Sequence, residues 1–234
     1  MVFGIKESSR HRGNPAKLFL FKGSDPMLES LMRSVTIIPG ATEFGYGTTL
    51  VTDSVSGQPK NRYAGQAVSD FTSSLEDLLA SAPHLEHVSL VVAWHGTDLR
   101  CGNCEIRPKV ETASGSTAPY VWKVGDLVRG TAQVVSQISG KPAYGGAPSD
   151  RTIYEAIVAL KAAGLKVTLY PFVMMDIAAG NGLPDPYGEA AQAAYPWRGR
   201  ITCHPAVGEA GTVDATSAAT TQANAFFGGS TAGD

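Results

Sequence analysis

Side chains that could bind a ligand, most of them polar or aromatic, follow the most apolar segments of this sequence. They are Trp94, His95, Asp98 and Arg100 after the first such segment, Met174, Met175 and Asp176 after the second, and His204 after the third. In parallel α/β sheets, ligands bind beyond the carboxyl ends of the strands. An aromatic ring beside carboxylate, imidazole and guanidinium groups is typical of a sugar site. The alternative is that Trp94 belongs to the core, Asp98 caps a turn and Arg100 is solvated.

The three cysteines allow several interpretations. Cys101 and Cys104 form a C-x2-C pair, which with Cys203 and His204 could supply four zinc ligands. A zinc site normally has a second spaced pair, and a redox C-x-x-C normally begins a helix. We therefore predict free structural thiols, no metal site and no cofactor. An odd, small number of cysteines also favours a reducing compartment.

Other possible sites have weaker support. Residues 84–87 (HLEH) contain two histidines and a glutamate, but lie where a helix ends and a strand begins. Asp185 and Glu189 could form the carboxylate pair of a glycosidase, although Asp185 between two prolines is equally explained by a turn. The phosphate-binding loop, the G-x-S-x-G elbow and the H-E-x-x-H motif are absent from the sequence.

The elements that must position these residues follow from hydrophobic periodicity. We predict strands at 18–21, 33–39, 44–52, 88–94, 165–173 and 200–203, and helices at 69–82, 124–138, 149–163 and 214–227. Ser73 and Glu76 form a possible capping box, and Gly164 stands where a C′ glycine belongs. The runs 88–94 and 165–173 predict strands buried on both faces, as in a parallel sheet. The fold class expected is therefore α/β.

Composition narrows the function classes. The 234 residues carry a net charge of −2, which does not favour nucleic-acid binding. Hydrophobic residues make up 43%, enough for a core, and no stretch is long enough to be a transmembrane segment. These observations predict a globular protein in the cytoplasm, or in a particle assembled there.

From residue 35 onward the chain resembles a known family. The strings that carry the resemblance are VTIIPGATEFGYGTT (35–49), LEHVSLVVAWHGTDLRCGNCEIRPKVE (85–111), KPAYGGAPSD (141–150), GLKVTLYPFVMMDI (164–177), NGLPDPYG (181–188) and YPWRGRITCHP (195–205). They are similar to the large tail-tip "megatron" proteins of gene transfer agents and related tailed phages. The similarity covers roughly residues 30 to 228. Residues 35–49 resemble the segment that precedes that family's TIM-barrel-like, glycoside-hydrolase-related domain, and residues 85–111 resemble the opening of the domain.

The resemblance implies a partial (β/α) TIM-barrel-like sheet preceded by a small β-containing lead segment. It implies a polar tail at 1–30, a lead segment at 31–84 and the first part of the barrel-like domain at 85–234. The location implied is the virion tail tip, assembled in the bacterial cytoplasm. The partners implied are other tail or baseplate proteins and a cell-wall or surface glycan. The expected substrate-binding residues are Trp94, His95, Asp98, Tyr170, Asp176, Trp197 and His204.

Two departures from the family bear on catalysis. The sequence stops soon after the third expected strand, whereas glycosidase acids in such barrels typically follow later strands. The family commonly has an aromatic residue at the position of His95, which favours a lining role for His95. The sequence does not identify the catalytic residues; Asp176 and Asp98 are the candidates among the expected substrate-binding residues, and we expect no hydrolysis by this chain alone. The alternatives are a structural tail subunit without a sugar site, and a complete glycosidase that dimerises to cover its sheet.

Overall fold

The computed structural model describes residues 2–4, 28–39, 43–64, 67–196 and 199–228. The chain is mixed α/β and divides into two compact units. Unit 1 comprises Met1–Val92, Ala113–Thr131 and Pro148–Pro171, and unit 2 comprises Ala93–Thr112, Ala132–Ala147 and Phe172–Asp234. The predicted succession of a tail, a lead segment and a barrel-like domain stays a prediction.

The described elements are two long strands, several very short ones and four helices. The strands are β1 (Val2–Gly4), β2 (Ser34–Ile38), β3 (Thr52–Asp53), β4 (His87–Gly96), β5 (Ile106–Arg107), β6 (Lys109–Val110), β7 (Thr117–Ala118), β8 (Lys123–Val124), β9 (Leu127–Val128), β10 (Gln133–Val134), β11 (Gln137–Ile138), β12 (Lys141–Pro142) and β13 (Lys166–Met175). The helices are α1 (Leu28–Leu31), α2 (Asp70–Ser81), α3 (Asp150–Ala162) and α4 (Ser217–Phe227), with a 3-10 turn at Arg129–Thr131. None of the helices in the described ranges has the length and apolar composition needed to cross a membrane.

The main sheet has the order β1-β2-β4-β13, with β5 added antiparallel to the end of β4. β1 with β2 and β2 with β4 are parallel pairs. The amide of Lys166 donates to the carbonyl of Glu86, and the amide of Asp176 to that of Gly96, so β13 runs parallel to β4. Helix α2 lies between β2 and β4 along the chain, and α3 lies in the predicted crossover from β4 to β13. The described residues form no closed barrel.

The core of unit 1 explains why α2 and α3 form where the sequence predicts them. Its buried residues are Val35, Ile37, Tyr46, Phe71, Val88, Leu90, Ala156, Leu160 and Leu165. Apolar residues of both helices pack against the strands at helical spacing. The predicted capping box at Ser73 is wrong, because Ser69 is the N-cap and its hydroxyl accepts from the amide of Thr72. Gly164, with φ of 80°, follows α3 as predicted.

The segment 44–52 is not a strand, although its β-branched residues predict one. Tyr46 is fully buried, and its hydroxyl donates toward the carbonyl oxygens of Ile37 and Val91. The amides of Thr48 and Thr49 each donate to the carboxylate of Glu155, at 3.0 Å. These donors are satisfied by a side chain instead of a neighbouring strand, so the backbone turns here and only β3 remains extended.

The predicted helix at 124–138 is also wrong. Its apolar spacing fits a helix, but β8 and β9 form a small hairpin in its place. Gly125 lies in the turn with φ of 56°, a conformation that a right-handed helix excludes. Its amide donates to a carboxylate oxygen of Asp150 at 2.7 Å. The many valines of this segment suit short extended pieces better than a helix.

Two further strand predictions need correction. β13 forms where predicted but is not buried on both faces, because it is the last strand of the described sheet, and Leu169 and Tyr170 are about half exposed. The predicted strand at 200–203 is reduced to a single bridge between Arg100 and Thr202. The predicted strand at 18–21 lies outside the described residues, and the last predicted helix is α4, shorter at its start.

Candidate functional site

A group of buried polar side chains lies in unit 2, just beyond the carboxyl ends of β4 and β13. We name it the His95 cluster, and it consists of His95, Lys109, Asp176 and Tyr144. His95 is the penultimate residue of β4, and Asp176 directly follows β13. The amide of Asp176 donates to the carbonyl of Gly96 at 2.9 Å, which fixes the two strand ends side by side. The sheet therefore brings together two residues that the sequence placed after separate strands.

Asp176 is the anionic centre of the cluster. One of its carboxylate oxygens accepts from the ammonium group of Lys109 at 2.8 Å, and the amide of Ser136 lies 3.1 Å from both oxygens. The side chains of Lys109 and Asp176 are only 8% and 0% exposed. A buried ion pair depends strongly on both partners, since either charge alone would be left without compensation in the interior. The pair therefore holds β6 and the 136 region to the end of β13.

His95 is buried next to this ion pair, and its imidazole ring is uncharged. It is fully buried, and neither ring nitrogen has a hydrogen-bond partner of normal geometry among the described residues. Burial lowers the pKa of His95 to about 4, with the carboxylate of Asp176 opposing this shift and the ammonium of Lys109 adding to it. At neutral pH the imidazole is therefore neutral, with one donor and one acceptor nitrogen. It could bind a polar group that reached it, but it carries no positive charge for an anion.

Tyr144 closes the cluster on one side. Its ring centre lies 6.2 Å from that of His95, and its hydroxyl donates to the carbonyl of Met175 at 3.0 Å. Next to the cluster, Met175 and Ile177 pack with Leu99 and Cys104 in the apolar core of unit 2. The cluster is thus attached to the core in two ways. Tyr144 is hydrogen-bonded to the core residue Met175, and Asp176 lies between Met175 and Ile177 in the chain.

Asp98 occupies a second buried position in unit 2. One carboxylate oxygen accepts from Arg100 and from the side-chain amide of Gln192, and the other accepts from Arg100 at 2.6 Å. Burial raises the pKa of Asp98, but the hydrogen bonds from Arg100 and Gln192 outweigh it, so the pKa lies below its usual range. Gln192 also accepts from the amide of Leu99 and donates to the carbonyl of Pro184. This network joins the loop after β4 to the loop after β13.

The remaining predicted site residues differ in exposure. Trp94 is 36% exposed, whereas its neighbour His95 is buried, because successive strand residues point to opposite faces. Tyr170, in the unit 1 part of β13, is 49% exposed. The backbone of His204 makes two 2.8 Å hydrogen bonds with the side chain of Gln222. Its Nδ1 atom is buried and has no hydrogen-bond partner in the part of the chain that the structure describes. Trp197 lies outside the described residues.

Sequence reasoning missed four residues that complete these two groups: Lys109, Ser136, Tyr144 and Gln192. Lys109 lies 67 positions from Asp176 along the chain, so no local pattern reveals the pair. Gln192 offers a weak signal, because it stands alone among small residues in the run AAQAA, where an isolated amide suggests a buried hydrogen-bonding role.

These two buried groups are suited to holding the loops of a binding surface in place, and they are poorly suited to acid–base catalysis. A glycosidase needs a carboxyl group that keeps its proton near neutral pH, and the lowered pKa of Asp98 is a shift in the opposite direction. Both oxygens of Asp176 are engaged by Lys109 and Ser136. Within the described ranges no three His, Cys, Asp or Glu side chains are arranged to hold a metal ion.

No family model matches the chain, and no curated protein matches it significantly in sequence.

Proposed function

We propose that this chain is part of a tail-tip or baseplate protein of a gene transfer agent or tailed phage, and that it contacts a cell-wall or surface glycan of the host. Two features support the proposal. The first is the resemblance of several long strings between residues 35 and 205 to that family. The second is the parallel pair of β4 and β13 with α3 in the crossover between them, because such β-α-β units are the building blocks of a (β/α) barrel.

The observation that carries the glycan contact is the exposure of Trp94 at the carboxyl end of β4. Trp94 is 36% exposed as a whole residue, in the region where α/β sheets bind ligands. An indole ring offers a flat apolar face with a polar N–H at one edge, which suits the alternating apolar and hydroxyl faces of a sugar. The His95 cluster and the Asp98 network, both buried, would hold the strand end and the loops that carry this surface.

Binding without cleavage is the form of the activity that we propose. Asp98 and Asp176 are both held in internal ion pairs, with Arg100 and Lys109 respectively. A carboxylate held this way stabilises loops but is a poor proton donor to a glycosidic oxygen. We therefore assign Asp98 and Asp176 as positioning residues, and Trp94 as the contact residue.

The test is a binding isotherm on purified bacterial sacculi with the variant Trp94→Ala. The matched control is Tyr154→Ala, which removes another exposed aromatic ring, 61% exposed on α3. We expect Trp94→Ala to weaken binding at least tenfold at unchanged thermal stability, with Tyr154→Ala binding like the unmodified protein. Equal binding by all three proteins, or equal loss in both variants, would refute the contact. Release of reducing sugar ends by the chain would refute binding without cleavage.

A second candidate is a purely structural tail subunit, and the position of β13 at the end of the described sheet favours it. β13 ends the order of the described sheet. Because the amides of Lys166 and Asp176 point to β4, the odd-numbered amides of β13, including that of Leu169, point away from it. Hydrogen exchange distinguishes the candidates. In assembled tails, protection of the Leu169 amide relative to the isolated chain would support a packing role, and fast exchange in both would argue against it.

A further inference from the structure

The loop after β4 and the segment before α4 lie side by side in unit 2. The amide of Thr202 donates to the carbonyl of Leu99 at 2.9 Å, and the amide of Cys101 donates to the carbonyl of Thr202 at 2.8 Å. Arg100 and Thr202 form a parallel bridge. The residue that follows the bridge is a cysteine in each of the two segments, so the parallel bridge places Cys101 beside Cys203.

The two thiols are close enough to react with each other. Their sulfur atoms are 3.6 Å apart, and both cysteines are free. A disulfide needs about 2.05 Å between sulfurs, a difference that side-chain rotation can close while the flanking hydrogen bonds stay in place. Cys104 is turned elsewhere, with its sulfur 3.9 Å from the carbonyl oxygen of Glu105.

We propose that Cys101 and Cys203 form a redox-sensitive modification site, at which an oxidant closes an intramolecular disulfide between them. The link would fasten the segment before α4 to the loop after β4. In the thiol form that attachment depends on weaker contacts, including the hydrogen bonds of 2.9 Å between Thr202 and Leu99 and of 2.8 Å between Cys101 and Thr202. The inference does not depend on the proposed glycan contact.

The order of the reaction follows from exposure. Burial, together with the neighbouring Cys203 thiol, raises the pKa of Cys101 to about 11, so this thiol holds its proton firmly. Cys203 is less buried than Cys101 and is reached first. The Cys203 thiolate attacks a low-molecular-weight disulfide such as oxidised glutathione and releases one thiol. The Cys101 thiolate then attacks the Cys203 sulfur and releases the second. Two protein thiols are oxidised, one small disulfide is reduced, and both protons end on the released thiols.

This pairing differs from the one that the sequence spacing suggests. Cys101 and Cys104 form the C-x2-C pair, and in redox proteins that pair is the one that closes. Here the amides of Asn103 and Cys104 both donate to the carbonyl of Arg100, which makes a tight turn. The sulfur that Cys101 approaches is that of Cys203.

The test oxidises the whole chain with glutathione disulfide and maps the product. Of the three thiols, we expect two to be lost, with the mass falling by about two hydrogens. After trypsin, the peptide that begins at Cys101 should be joined to the peptide that begins at Ile201, and reductant should separate them. The oxidised form should melt roughly 5–15 °C higher, because the link closes a loop of about one hundred residues.

Single serine variants assign the pair. Cys104→Ser is the matched control and should still form the link, whereas Cys101→Ser and Cys203→Ser should not. The tryptic peptide that begins at Cys101 also contains Cys104. If a variant fails to fold, tandem mass spectrometry of the linked peptides from the unmodified protein shows which of these two cysteines carries the link. A link between Cys101 and Cys104, a link between Cys104 and Cys203, or three free thiols after oxidation would each overturn the proposal.

Discussion

Replacing Asp176 by asparagine is the perturbation whose outcome follows most directly from the His95 cluster. The change keeps the shape of the side chain and removes its charge. Lys109, whose side chain is 8% exposed, would then keep its ammonium group in the interior without a counter-charge. Removing one partner of a buried ion pair costs about 3–5 kcal/mol. For a chain of this size that corresponds to a fall in Tm of the order of 10 °C.

A double-mutant cycle isolates the pair itself. Asp176→Asn, Lys109→Met and the double variant are unfolded with urea, and the coupling free energy is taken from the three differences. We expect a coupling of about 2–4 kcal/mol, because the double variant leaves no uncompensated charge.

The control cycle uses the pair Arg33–Glu86, which has a similar separation of 3.0 Å but side chains 60% and 64% exposed. Its coupling should not exceed about 0.5 kcal/mol. Similar couplings for the two pairs, or a loss below about 1 kcal/mol for Asp176→Asn, would refute the argument that burial makes this ion pair essential.

Two further predictions concern single buried rings. The unfolded chain protonates His95 near pH 6.5 but the folded chain only near pH 4. The contribution of the neutral His95 ring to the free energy of unfolding is therefore fully present above about pH 6.5 and falls by about 3 kcal/mol toward pH 4. In urea titrations across this range, the free energy of unfolding of His95→Phe should depend less on pH than that of the unmodified protein. The same pH dependence in both proteins would contradict a buried neutral ring. Tyr46→Phe should cost about 1–2 kcal/mol, because the hydroxyl donates to the carbonyl of Val91 at 2.6 Å. Tyr154→Phe, on an exposed ring, is its control and should change the free energy of unfolding by less than about 0.5 kcal/mol, so equal losses would contradict the assignment.

Much of the framework was predictable because it follows from local periodicity. Strands β2 and β4 and helices α2 and α3 lie within a few residues of their predicted bounds. The helix prediction for residues 124–138 is wrong because apolar residues at helical spacing also fit a hairpin when a glycine occupies the turn. Gly125 is that glycine, and its turn conformation outweighs the periodicity.

The sequence of β13 contains a residue that indicates its place at the edge of the sheet. Pro171 lies in the middle of this strand. Proline has no N–H to donate, whereas a central strand donates hydrogen bonds to a neighbouring strand on each side. Its nitrogen occupies an odd-numbered position, which points away from β4. A proline in an apolar run favours an edge strand, and in the described sheet β13 is one.

The composition of the candidate site was only half predictable. The rule that ligand-binding residues follow parallel strands led to His95 and Asp176, and the sheet does bring these residues together. The rule gives no information about burial or about partners far along the chain. For that reason Asp98 was predicted as a glycan contact without its network to Arg100 and Gln192, and Lys109 was missed.

The most direct test of the glycan contact is an NMR titration of the tryptophan indole N–H signals with soluble cell-wall glycan fragments. Trp122 is 1% exposed and serves as the internal control for Trp94. The account predicts a saturable shift of the Trp94 signal, with the Trp122 signal unchanged. A Trp94 signal that stays in place up to millimolar glycan would contradict it.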